Sequence, residues 1–183
     1  TGKSVVLAEA AKQEADAGRS VLVTFLSPGL RTFFEPRLEG RDIEIVEFGA
    51  LTRDRNFDVV LVDEAQDLMS AESMDMLDAV VANGRSAGRW RMFLDPNNQA
   101  HVHGRFDPDV FDLVSIDAME YDLSKNVRNT RAIVHMVQEY LAADVGDPGI
   151  VHGERIQWKW IEDGSRADEA LELAKALKRD GVR

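Results

Sequence analysis

The 183-residue chain contains no cysteine. That removes disulfides, thiolate nucleophiles and thiolate metal ligands together. No apolar run approaches the roughly 20 residues needed to span a bilayer. The first residues lack the basic stretch and apolar segment of a signal peptide. These absences point to a cytoplasmic protein with no membrane partner. An initiator methionine is also missing, so the chain is expected to be a cut or processed piece. Positive charge is scarce: 22 Lys and Arg stand against 33 Asp and Glu, a formal net charge of −11. That balance argues against a surface that grips nucleic acid all over, though not against a local basic groove. No internal repeat or low-complexity tract is visible.

What is present is ordinary for a globular protein. Hydrophobic residues make up 44% and charged residues 30%, enough for one real core, or one and part of another. Helical and strand patterns alternate. Residues 3–17 predict an Ala-rich helix stopped at Gly18. "SVLVTFL" (20–26) predicts a buried strand, "SPGL" a turn, and 30–39 a short helix. "IEIVEF" (43–48) alternates as a strand. "FDVVLVDE" (57–64) is a second apolar strand ending in acids, and "RWRMFLD" (89–95) a third of that kind. Residues 71–83, 129–143 and 166–180 predict helices, while 118–123 and 155–161 predict strands. This order implies an α/β fold with a mostly parallel sheet and flanking helices. A boundary is expected near 122–129, with a second turn-rich stretch at 142–154. Parallel sheets carry their sites at the carboxyl ends of strands, where Asp63, Glu64 and Asp95 fall.

Three short stretches carry chemistry. Thr1-Gly2-Lys3-Ser4 opens a helix and matches the back half of a phosphate-binding loop. There, backbone N–H groups and the helix dipole hold phosphate, the lysine reaches the terminal phosphates, and the serine hydroxyl meets Mg²⁺. Four residues alone match by chance as readily as not. "VVLVDEAQDL" (59–68) delivers two adjacent acids from an apolar strand. Mg²⁺ needs only one or two carboxylates besides phosphate oxygens. Asp63 suits that role, and Glu64 suits a base acting on an attacking water. Two solvated loop acids are the plain alternative. His101 and His103 lack further placed ligands, so a structural role is favoured over a metal site.

The ordered set of motifs resembles the UvrD/Rep-like superfamily 1 DNA helicases, truncated at both ends. "DEAQD" after "VVLV" and downstream of "GKS" is similar to motif II. "RSVLVTFLSPGLRTFFEPRL" (19–38) resembles motif Ia, "RMFLDPNNQ" (91–99) motif III, and "LSKNVRNTRAIVHMVQEYL" (123–141) motif IV. The resemblance implies a RecA-like P-loop NTPase domain over 1–122, without its first strand and the front of its loop. The start of a second RecA-like domain would follow over 123–183. It implies ATP and Mg²⁺ as cofactors, single-stranded DNA as partner of the full-length protein, and ATP-driven movement along that strand. Thr1, Gly2, Lys3 and Ser4 would hold the phosphates, with Ser4 and Asp63 on Mg²⁺. Glu64 would be the catalytic base, Gln99 the γ-phosphate sensor and Arg128 the arginine finger. Gln66 and Asp67 would orient the site or link it to motif III. Phe25, Ser27 and Arg31 would touch DNA, with Phe33, Phe34 and Arg37 following; core Phe and solvated Arg are the plain alternative.

The sequence departs from that pattern in three places. Leu94 replaces the usual Gly before the motif III acid. Three residues, not two, separate Asp95 from Gln99, which unsettles the sensor role. Val127 stands where an aromatic ring usually stacks on adenine, which unsettles nucleotide preference. Trp158 and Trp160 fit one buried strand face better than a stacking platform. The 183 residues alone are expected not to turn over ATP. The rival reading is a nucleotide-responsive switch or docking module that unwinds nothing.

Overall fold

The computed structural model describes residues 2–95, 106–141, 145–153 and 166–179. Helix α1 (Lys3–Asp16) ends at Gly18, whose φ of 78° reverses the chain into β1 (Val21–Phe25). A short 3-10 turn at Pro28–Leu30 leads into α2 (Arg31–Leu38) and then β2 (Ile43–Glu47). Strand β3 (Val59–Val62) runs into a 3-10 turn at Ala65–Leu68 and helix α3 (Ala71–Val80). The short helix α4 (Gly84–Ala87) precedes β4 (Arg89–Met92). All three pairings in the sheet β2-β1-β3-β4 are parallel. The protein is therefore α/β, with a four-stranded parallel sheet between helices, as the alternating patterns predicted.

Strand alternation divides the core into two layers. Val21, Val23 and Phe25 of β1 and Val59 and Leu61 of β3 meet Leu7, Ala11, Phe34 and Leu38 of α1 and α2. Leu22, Val60 and Val62 face the other way, onto Met74, Leu77 and Val80 of α3. Strands β1 and β3 are paired on both edges, and helices on each side of the sheet bury both their faces.

Strand β4 corrects an expectation. It is an edge strand of alternating exposure, not a fully buried apolar run. Trp90 and Met92 join the α3 layer, while Arg89 and Arg91 turn towards α1. There Glu14, only 4% exposed at its side chain, accepts ion pairs from Arg19 at 2.6 Å and from Arg89 and Arg91 at 3.0 Å each. Burial alone would raise the Glu14 carboxyl; hydrogen bonds from Arg89 and Arg19 outweigh it and hold the group below the usual glutamate range.

A helix unassigned from sequence, α5 (Pro108–Ile116), starts with Pro108 after Asp107, whose carboxylate accepts from the Asp109 N–H at 3.0 Å. The strand expected over 118–123 does not form. Met119 is 98% exposed and Tyr121 is likewise exposed, so among the described residues no neighbour supplies the cross-strand packing a strand needs. Strand β5 (Lys125–Asn126) instead pairs in parallel with β6 (Asp147–Pro148), around helix α6 (Arg131–Leu141). Helix α7 (Arg166–Arg179) follows. The strand expected over 155–161, with Trp158 and Trp160, lies outside the described residues. Among the described residues no helix is long and apolar enough to cross a membrane.

Candidate active site

The carboxyl ends of β1, β3 and β4 and the N-terminus of α1 converge. Helix α1 begins at Lys3 with no side-chain cap and no acid in its first turn. The Gly2 carbonyl accepts the Val5 and Val6 N–H groups, at 3.0 and 3.1 Å. The earlier N–H groups of the turn are those a helix leaves without an internal acceptor. A helix start of this kind favours an anion.

Asp63 lies directly after β3. Its N–H donates to the Thr24 carbonyl at 2.9 Å, extending the ladder by one residue beyond the strand. The residue is 0% exposed, yet neither carboxylate oxygen completes a hydrogen bond. Burial pushes this carboxyl up from the ordinary aspartate range, and the Glu64 charge adds to the effect; the Ser4 hydroxyl and the Glu64 N–H, close but outside hydrogen-bond geometry, and the Lys3 ammonium oppose it. A buried carboxylate with two orphaned oxygens is costly. A cation beneath the α1 N-terminus would satisfy both. Among the described residues no group of three or more His, Cys, Asp or Glu could hold a metal unaided. The donor set of one carboxylate and a nearby serine hydroxyl fits a hard divalent cation that takes its other oxygens from phosphate and water.

Glu64 is held in the left-handed region, at φ 48° and ψ 46°. The backbone on both sides imposes this. The Phe93 N–H donates to the Val62 carbonyl at 2.8 Å, and the Ala65 N–H to the Phe93 carbonyl at 2.9 Å. A regular parallel ladder would use the Glu64 N–H in place of that of Ala65, so the chain must bulge by one residue here, at a cost of about 1–3 kcal/mol for a non-glycine residue held left-handed. Gln66, buried, donates from Nε2 to Glu64 Oε2 at 2.7 Å and accepts the Asp95 N–H on Oε1 at 3.1 Å. Gln66 thus joins the end of β3 to the end of β4. Asp95 also faces Lys3, its Oδ2 3.8 Å from Nζ. Sequence reasoning placed Asp95 at this edge of the sheet, from its position after a strand, but gave it no role in the site.

The second half of the chain reaches the same corner. Val127 Cγ2 is 3.4 Å from where a Cβ on Gly2 would sit. This places the Asn126–Arg128 backbone beside the start of α1. The N–H groups of Arg128 and Asn129 both donate to Asn126 Oδ1, at 3.2 and 3.0 Å. The structure therefore brings together Gly2, Lys3, Ser4, Asp63, Glu64, Gln66 and the Arg128 backbone. Thr1, Gln99, His101 and His103 lie outside the described residues.

The DNA-contact expectations fare differently. Phe25 is 0% exposed and stacks on Phe34, ring centroids 5.7 Å apart, so it is a core residue with no face free for a base. Arg31 pairs with Glu35 at 3.2 Å and Glu47 at 3.3 Å. Arg37 lies 3.8 Å over the Phe33 ring. Ser27, half-buried after β1, is the remaining one of the three at the sheet's carboxyl edge. Neither a scan against protein-family models nor a search of curated proteins returned a match.

Proposed function

We propose that the chain is part of the ATP-binding and hydrolysing core of a superfamily 1 DNA helicase or translocase, and that these residues alone do not turn over ATP. It would be RecA-like, with the start of a second RecA-like domain from residue 123. The observation that carries this reading is Asp63, fully buried with two unpartnered oxygens beside the open N-terminus of α1. A structural aspartate would be hydrogen-bonded; one awaiting a cation and phosphate need not be. Lys3 and the first N–H groups of α1 hold the phosphates of ATP, and Ser4 and Asp63 hold Mg²⁺. The cation, when bound, neutralises charge on the phosphates. Glu64 takes a proton from the attacking water, and its left-handed backbone turns the carboxylate out of the strand line. Gln66 fixes that carboxylate against the end of β4. Arg128 supplies positive charge from the loop next to Gly2.

The test is ATP hydrolysis by the full-length protein with and without single-stranded DNA. The motor reading expects strong stimulation by DNA and loss of turnover in Glu64→Gln by roughly 100-fold or more. Turnover indifferent to DNA supports the second reading, a nucleotide-responsive switch or docking module. That alternative is favoured by the burial of Phe25 and the engagement of Arg31 by two acids. Unchanged turnover in Glu64→Gln overturns both.

A further inference from the structure

Asn126 occupies an unusual position for a polar residue in a loop. It is 1% exposed, and both ends of its amide are used. Nδ2 donates to the Val145 carbonyl at 3.0 Å, while Oδ1 accepts the N–H groups of Arg128 and Asn129. A side chain that holds the backbone two and three residues ahead sets the path of the chain between them. Here that path carries Arg128.

Asn126 is itself held from behind. Strand β6, flanked by Gly146 and Gly149, runs alongside β5, with the Asp147 N–H on the Ser124 carbonyl at 2.8 Å and the Gly149 N–H on the Asn126 carbonyl at 3.2 Å. The approach is too close for a side chain: a Cβ on Gly149 would lie 2.5 Å from the Asn126 carbonyl oxygen, and one on Gly146 2.5 Å from the Ser124 oxygen. Further along, the Arg131 N–H donates to the Val151 carbonyl at 3.0 Å and Gln138 Nε2 to the Gly146 carbonyl at 3.1 Å. On the opposite side the loop abuts Gly2 through Val127. The turn is thus clamped between a glycine-flanked strand and the start of α1.

We propose that Asn126 is a positioning residue for Arg128, and that Gly149 keeps Asn126 in place by admitting the 145–149 segment at contact distance. The inference rests on the role given to Arg128 above and adds to it a specific support. The guanidinium is useful only if its loop is rigid, because a misplacement of about 1 Å can cost about 100-fold in rate.

The experiment is a set of double-mutant cycles in the full-length protein. Asn126→Ala and Gly149→Ala are made alone and combined with Arg128→Ala, with Ile150→Ala, an exposed neighbour, as control. Steady-state ATP hydrolysis is measured beside thermal melts. Arg128→Ala is expected to lower kcat roughly 1,000-fold or more. Asn126→Ala and Gly149→Ala should each lower it about 100-fold with KM for ATP little changed. Neither should lower it further once Arg128 is gone, and Ile150→Ala should be neutral. Losses that multiply in the double variants overturn the proposal, as does full turnover in Gly149→Ala. Full turnover in Arg128→Ala overturns it by removing the role of Arg128. If the wild type does not exceed Glu64→Gln, the ATPase reading falls first and this one with it. Hydrogen exchange at the Arg128 and Asn129 amides gives a readout without turnover. Protection in the wild type and its selective loss in Gly149→Ala support the assignment; unchanged protection refutes it.

Discussion

Glu14 offers a quantitative test of how α1 is fixed to the sheet. Its carboxylate accepts four contacts: Arg19 Nε at 2.6 Å, Arg89 Nε and Nη2 at 3.0 Å each, and Arg91 Nη2 at 3.0 Å. Hydrogen bonds to a charged group contribute about 1.5–3 kcal/mol each where both partners are buried. The three arginines are 37–54% exposed, so solvent screening takes most of that away. Glu14→Gln keeps one acceptor and removes the charge. A loss of about 1–2 kcal/mol is expected, below the roughly 3–5 kcal/mol of a fully buried pair, because the arginines left behind stay solvated. For a chain of this length that lowers the melting temperature by about 2–8 °C. The pH dependence has a fixed sign. Because the folded carboxyl is held below its ordinary range, its stabilisation is complete above the unfolded pKa and is lost as pH falls through the lower folded value. Thermal melts of wild type and Glu14→Gln should therefore differ at neutral pH and converge in acid. Equal melting temperatures at neutral pH, or a gap that persists in acid, would refute the reasoning. Lys3 lies at the other end of α1, about 16 Å along its axis, so the loss should be read in stability before it is read in nucleotide binding.

Two further outcomes are expected. Phe25→Ala should destabilise the fold by about 3–5 kcal/mol through the cavity left against Phe34, while DNA affinity per folded molecule stays constant; a selective loss of affinity without destabilisation would return Phe25 to the DNA surface. Gln66→Ala should free Glu64 Oε2 and leave the Asp95 N–H without this acceptor, costing about 1–3 kcal/mol and lowering kcat more than it raises KM. Unaltered kinetics in that variant would show that the link between the ends of β3 and β4 does not serve turnover.

Local pattern was enough to place most elements. The apolar runs at 20–26 and 57–64 had to be buried strands, because no exposed element tolerates such density of Val and Leu. Ala-rich 3–17 with Gly18 had to be a helix with a stop. The acids after β3 were legible because a buried strand cannot carry charge within it and so releases it at its end. Asp107-Pro108 was a helix start that the surrounding loop signals masked. The stretch 118–123 carries apolar residues at strand spacing, but a strand exists only where a neighbour accepts its hydrogen bonds, and none pairs with it among the described residues.

Sequence by itself determined the alternation of helices and strands, and with it a parallel sheet whose chemistry lies at one edge. It also determined which residue types reach that edge, since 3.6-residue and two-residue periods are properties of the local chain. Only the tertiary structure decided which of them meet. Asp63 became a buried carboxylate because it continues β3, which lies between β1 and β4 in the sheet. Glu64 was forced left-handed by hydrogen bonds from β4, some thirty residues away in sequence. Phe25 lost its free face because α2 brings Phe34 against its ring, with centroids 5.7 Å apart. Arg89 and Arg91 met Glu14 because β4 is an edge strand facing α1. None of these follows from spacing along the chain, because each depends on contacts between residues distant in sequence.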